Sequence, residues 1–85
     1  MLTYEVLTIL EESPKNLHQI RAYVGDKPVL KMLLRDMRVR FGYIEVEGTR
    51  HHYIYKITET GKRALLNHKT KTLRKYILEN LNFNG

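Results

Sequence analysis

Apolar residues recur along this chain with two different periods, and the change between them divides it. Leu2, Val6, Ile9 and Leu10 stand at i, i+4, i+7 and i+8, the stripe of an amphipathic helix, with Thr3 placed as its cap. Ser13-Pro14-Lys15-Asn16 ends that helix. Asn16 then caps a second, short helix in which Leu17, Ile20 and Val24 share one face, and Gly25 closes it. Asp26 reads as the cap of a third helix. Pro28 fits in its first turn, where the N–H that proline lacks would have no intrahelical partner. This helix is expected to bury Leu30, Leu33, Leu34, Met37 and Phe41 and to stop at Gly42.

Beyond Gly42 the period falls to two. Ile44 and Val46 alternate with Glu45 and Glu47, and in residues 51–57 Tyr53, Tyr55 and Ile57 share a face, so two strands are expected with Gly48-Thr49-Arg50 at the hairpin tip. Thr58 caps a long final helix over about 59–81, with Leu65, Leu66, Leu73, Tyr76, Ile77, Asn80 and Leu81 near one stripe. Residues 68–72 are its most polar part and allow a bend, and residues 82–85 read as a frayed tail. The expected class is α+β, mostly α: three helices, a two-stranded hairpin and a long C-terminal helix.

Charge separates two segments from the rest. Fifteen Lys and Arg against nine Asp and Glu leave the 85 residues with a formal charge of +6. Residues 26–42 hold Lys27, Lys31, Arg35, Arg38 and Arg40 against Asp26 and Asp36, and residues 58–85 hold six basic residues against Glu59 and Glu79. A positive field of this kind points to an anionic partner, nucleic acid before a membrane surface. With no cysteine, there is neither a disulfide framework nor a thiolate metal site, and a reducing, cytoplasmic location is expected. Glu5, Glu11 and Glu12 interrupt the N-terminus where a signal peptide needs a basic start and an apolar run.

Two short helices around a tight turn, a hairpin and a further helix follow the order of a winged helix-turn-helix. The run FGYIEVEG at 41–48, followed by YKITETGKRAL at 55–65, resembles the corresponding stretch of MarR-like, PadR-like and small archaeal winged-helix regulators. There the recognition helix ends in Gly, a strand leads to the wing, and the returning strand runs into an aromatic-x-aliphatic-Thr-x-x-Gly helix start. One position departs from the pattern: Arg38 stands where the family usually has Leu, four residues before the Gly. The resemblance covers residues 1–66, expected as the DNA-binding domain, and leaves 67–85 as a C-terminal helical extension. It implies a transcription regulator, most simply a repressor, that binds double-stranded DNA.

The third helix carries the physical case. With Leu30 at zero, the other apolar residues lie within about 60° of it, and Lys27, Arg38, Lys31 and Arg35 fall at roughly 60°, 80°, 100° and 140° on one flank. With a recognition helix over about 26–41, Lys27, Pro28, Lys31 and Arg35 are candidates for the major groove, and Arg38 and Arg40 for phosphate. Arg35 is the leading candidate for reading guanine. Thr49, Arg50 and His51 at the wing tip, over 48–52, are assigned to the backbone or the minor groove. Glu45 and Glu47 would be repelled there, and cross-strand pairing with Lys56 accounts for them.

His51 and His52 are adjacent on an expected strand, where side chains point to opposite faces, so no metal site is expected. No Ser-His-Asp, paired-carboxylate or Gly-rich phosphate-loop pattern is present; neither enzymatic activity nor a cofactor is expected. Leu66, Leu73, Tyr76, Ile77 and Leu81 offer the final helix an apolar face that a second copy would cover, giving a homodimer. The competing arrangement folds this helix back over the first helix of its own chain. Two other roles remain open: a winged-helix protein-interaction module within a larger assembly, and a non-specific nucleic-acid-binding architectural protein.

Overall fold

A computed structural model describes residues 1–49 and 51–84, with side chains through residue 80. In chain order the elements are α1 (Leu2–Glu12), β1 (Lys15–Asn16), α2 (Leu17–Val24), α3 (Leu30–Val39), β2 (Ile44–Glu47), β3 (Ile54–Ile57) and α4 (Glu59–Asn84). The fold is α+β and mostly helical, with four helices and one small antiparallel sheet.

The sheet has three strands, not two. β1 pairs with β3, so the order is β1-β3-β2, with Lys15 opposite Tyr55 and Asn16 opposite Ile54. Two residues are too short to show an alternating pattern, and only the arrival of the hairpin edge beside them turns a loop into a strand. Lys15 is consequently buried at 7% exposure, and its ammonium group turns back to the carbonyl and hydroxyl oxygens of Ser13. In the hairpin, Ile44 pairs with Ile57 and Val46 with Tyr55 on the inner face, while Glu45 and Glu47 point outward.

One core joins all the helices to β2: Val6, Leu7 and Leu10 from α1, Ile20 from α2, Leu30, Leu34 and Met37 from α3, Ile44 from β2 and Leu65 from α4. Leu7, absent from the expected α1 stripe, is fully buried because α2, β3 and α4 all meet α1 and widen its covered face. Thr3 is not a cap; it lies inside α1, whose cap is Met1. The Asn16 cap forms as expected: Gln19 N–H donates to Asn16 Oδ1 at 2.8 Å, and Asn16 N–H donates to Gln19 Oε1 at 2.9 Å.

α3 is shorter than the expected 26–41. Asp26 does not cap it; its carboxylate lies 3.5 Å from Arg21 Nε on α2. Lys27 N–H donates to Gly25 O at 3.1 Å and Leu30 N–H to Lys27 O at 3.0 Å, so residues 25–29 turn by themselves before the helix begins at Leu30. Pro28 also disfavours helical backbone at Lys27. At the other end the helix stops at Val39, before the expected Gly42, with Arg40 as its C-cap; beyond it Tyr43 N–H donates to Met37 O at 2.8 Å and Gly42 takes φ +65, a left-handed conformation that turns the chain toward β2. Phe41 therefore leaves the core face: it is 52% exposed and stacks on Tyr43 with ring centroids 5.3 Å apart.

Thr58 fastens this turn to α4. Its hydroxyl donates to Gly42 O at 2.5 Å and accepts from Gly61 N–H at 3.1 Å, capping the helix as expected. Gly61 permits the approach, since a Cβ there would lie 2.1 Å from the Tyr43 carbonyl oxygen. α4 then runs unbroken through residues 68–72 and stays helical to Asn84, beyond the expected end, because no proline or glycine intervenes. At 26 residues it is about 39 Å long, in a molecule whose longest extent is 56 Å.

Candidate nucleic-acid interface

The exposed flank of α3 faces the β2–β3 hairpin across a groove of about 630 Å³. Lys31, Arg35 and Arg38 form one wall because Leu30, Leu34 and Met37, three and four residues apart, hold the opposite side of α3 in the core. His51, His52 and Tyr53 at the end of the hairpin form the other wall, and Asn16, Leu17 and His18 at the start of α2 close one end. Leu34, Val46, Ile54 and Tyr55 line the bottom.

The charge of this groove is one-sided. Among the described residues none of its lining is acidic, and Lys31, Arg35 and Arg38 take part in no salt bridge. The nearby carboxylates are engaged or turned elsewhere. Glu47 accepts from Lys56 Nζ at 2.7 Å on the outer face of the hairpin, as the cross-strand pairing predicts, and Asp36 lies on the opposite flank of α3 beside Met32 and Leu33. The Glu47 contact raises the Lys56 pKa above the usual lysine value of 10.5. Tyr55 also titrates above its usual value; burial is the main cause, opposed by the positive charge of Arg38 and assisted by Tyr53.

The expected site residues separate into two groups. Lys31, Arg35, Arg38 and His51 converge on the groove. Lys27 and Pro28 are exposed but precede α3, so Lys27 has no place on its helical flank. Arg40 is the exposed C-cap of α3, and Thr49 is exposed in the hairpin turn, where its carbonyl accepts from His52 N–H at 2.8 Å; neither lines the groove. Arg50 lies outside the described residues. His51 and His52 occupy that turn rather than a strand, which begins only at Ile54, and both line the groove instead of facing opposite sides. His18 and Tyr53 join them, an arrangement with no local signature because the β1–β3 pairing brings the start of α2 to the hairpin. Among the described residues no cluster of three or more His, Asp or Glu is arranged to hold a metal ion, and no helix is long and apolar enough to cross a membrane.

The second candidate surface is α4. Its first turns pack on α1: Leu65 is buried, the His68 ring stacks on Tyr4 at 3.8 Å, and Lys69 Nζ reaches Glu11 Oε1 at 3.2 Å. From residue 70 to residue 80 every side chain is exposed, so α1 is not covered by these last turns. Leu66, Leu73 and Ile77 fall within roughly 40° of one another along α4. Their exposures are 63%, 58% and 46%; Tyr76 and Leu78 stand to either side at 65% and 59%. The side chain of Leu81 lies outside the described residues. Compared with known proteins, the chain matches no family model, and no curated protein or solved structure matches it significantly.

Proposed function

We propose that this chain is a winged helix-turn-helix protein that binds double-stranded DNA sequence-specifically and regulates transcription, in the simplest case by occluding a promoter as a homodimer. α2 and α3 serve as the helix-turn-helix, with α3 in the major groove, and β2–β3 serves as the wing. The observation that carries this reading is the convergence of Lys31, Arg35 and Arg38, none of them in a salt bridge among the described residues, on a groove free of described carboxylates between α3 and the hairpin. A duplex that takes α3 into its major groove meets cations on the helix and imidazoles on the hairpin beside it, the side-chain types that bind phosphate and base edges. The exposed stripe of α4 supplies the dimer contact, and a two-fold dimer places its recognition helices on half-sites about 34–36 Å apart or a multiple of that.

Selection of bound duplexes from a random pool tests the reading. A regulator enriches an inverted repeat, binds it about 10³-fold or more above random duplex, and loses affinity steeply with salt. Arg35→Ala relaxes preference at one base position at a cost of about 1–3 kcal/mol, whereas Arg38→Ala weakens all sequences alike and reduces the salt slope by about one. A pool that yields no motif counts against the proposal. The apolar face of α4 favours one second reading, a protein-interaction module; that protein would form its complex unchanged by either substitution.

A further inference from the structure

Three side chains on the outer ridge of α3 lie outside the buried core. Met32, Arg35 and Val39 stand at i, i+3 and i+7, within about 60° of one another and opposite the buried Leu30, Leu34 and Met37. Met32 is 69% exposed and Val39 is 61% exposed, on a helix that has only 10 residues. Arg35 lies between them, about 4.5 Å from Met32 and 6 Å from Val39 along the axis. The ridge thus presents apolar, cationic and apolar groups in a row about 10 Å long, close to the rise of three base-pair steps at about 3.4 Å each.

The occupant of such a row must offer hydrogen-bond acceptors at its centre and apolar groups on both sides. A second copy of the chain fits poorly, because a two-fold contact through this ridge would press Arg35 toward its own equivalent with Lys31 and Arg38 adding to the repulsion. The major groove of DNA satisfies both requirements: guanine presents N7 and O6 to an arginine, and thymine presents its C5 methyl. Asp36 on the far flank repels phosphate from that side and leaves the Arg38 flank for the backbone. Resting on the duplex-binding reading above, we infer that the Met32–Arg35–Val39 ridge recognises a guanine with a pyrimidine C5 methyl one base-pair step away on the Met32 side and another two steps away on the Val39 side, thymine in unmodified DNA.

The test uses the full chain and a duplex selected by it from a random pool. The thymines one step to one side of the guanine and two steps to the other are replaced one at a time by uracil, which removes the methyl and keeps every hydrogen-bonding group. Binding is followed by fluorescence anisotropy. Loss of one methyl contact is expected to weaken binding by about fourfold. Met32→Ala abolishes the uracil penalty on one side of the guanine and Val39→Ala on the other, with thermal melting unchanged because both positions are exposed. A specifically bound duplex that shows no uracil penalty, or a penalty that survives in both variants, overturns the methyl readout while leaving duplex binding in place. Failure of the pool to yield any duplex removes the duplex reading and this inference together. A drop in sedimenting mass on Met32→Ala assigns the ridge to a contact between copies and also overturns it.

Discussion

Leu65 and Leu73 sit about two turns apart on one helix, yet Leu65 is 1% exposed and Leu73 is 58% exposed. The amphipathic pattern around the two is similar; what differs is what lies beside them. Thr58 and Gly61 seat the start of α4 against the turn at Gly42 and Tyr43, which aims Leu65 into the core. α1, the element that covers this part of α4, has only 11 residues against the 26 of α4. The last turns of α4 therefore outrun the body of the molecule, and among the described residues their apolar face is left exposed. A hydrophobic stripe specifies that a face is to be covered; the lengths of the neighbouring elements determine whether the same chain covers it.

Substitution of the two leucines is the most direct way to break that comparison. Leu65→Ala should cost about 2–5 kcal/mol, because the vacated core space refills only in part, whereas Leu73→Ala should change the stability of the single chain little. Urea unfolding at low protein concentration measures both, and equal losses would mean that Leu73 is covered within the monomer. Gly61→Ala follows, at about 1–3 kcal/mol, by pushing α4 away from the Tyr43 carbonyl; the same method applies, and an unchanged midpoint would show that the anchoring of α4 does not depend on this approach.

A smaller effect on the fold, with a larger one on assembly, is expected from the double substitution Leu73→Lys and Ile77→Lys. Wild-type protein should sediment as two chains at micromolar concentration and melt at a temperature that rises with concentration; the variant should sediment as one chain and lose that dependence. Wild-type protein that sediments as a single chain would remove the role given to this stripe. The least effect belongs to Lys56→Gln, which separates membership of the body from burial. Its hydrogen bond and charge contact with Glu47 raise the lysine pKa, so the stabilisation is complete below the unfolded value near 10.5 and disappears as pH rises through the folded one. The difference in urea midpoint between wild type and variant should therefore be small at pH 8 and shrink further above about pH 10.5. A difference that grows with pH would contradict the assignment.

Much of this was legible from local spacing. The α1 and α2 stripes, the Asn16 cap, the outward Glu45 and Glu47 and the Thr58 cap all rest on relations within a few residues, and each is present. The errors lie where neighbours in space decide. A Pro28 in the first turn looked compatible with a helix from Asp26, but the turn at Gly25 and the Arg21–Asp26 pair hold those residues outside α3, taking Lys27 with them. Phe41 matched the period of α3 and still left the core, because the chain leaves the helix before reaching it. Likewise, His18 had no reason in sequence to stand near His51 and His52 until β1 paired with β3.

The sequence by itself determined the order of elements, the flank of α3 that is basic and the positions on α4 that are apolar, because side-chain periodicity follows from backbone geometry alone. Tertiary structure decided the third strand, the meeting of α3, α2 and the hairpin around one groove, and the row of Met32, Arg35 and Val39 left outermost on α3. It also decided that α4 passes beyond α1. These depend on which distant segments pair and on how far each element reaches past its neighbour, quantities that no window of adjacent residues contains.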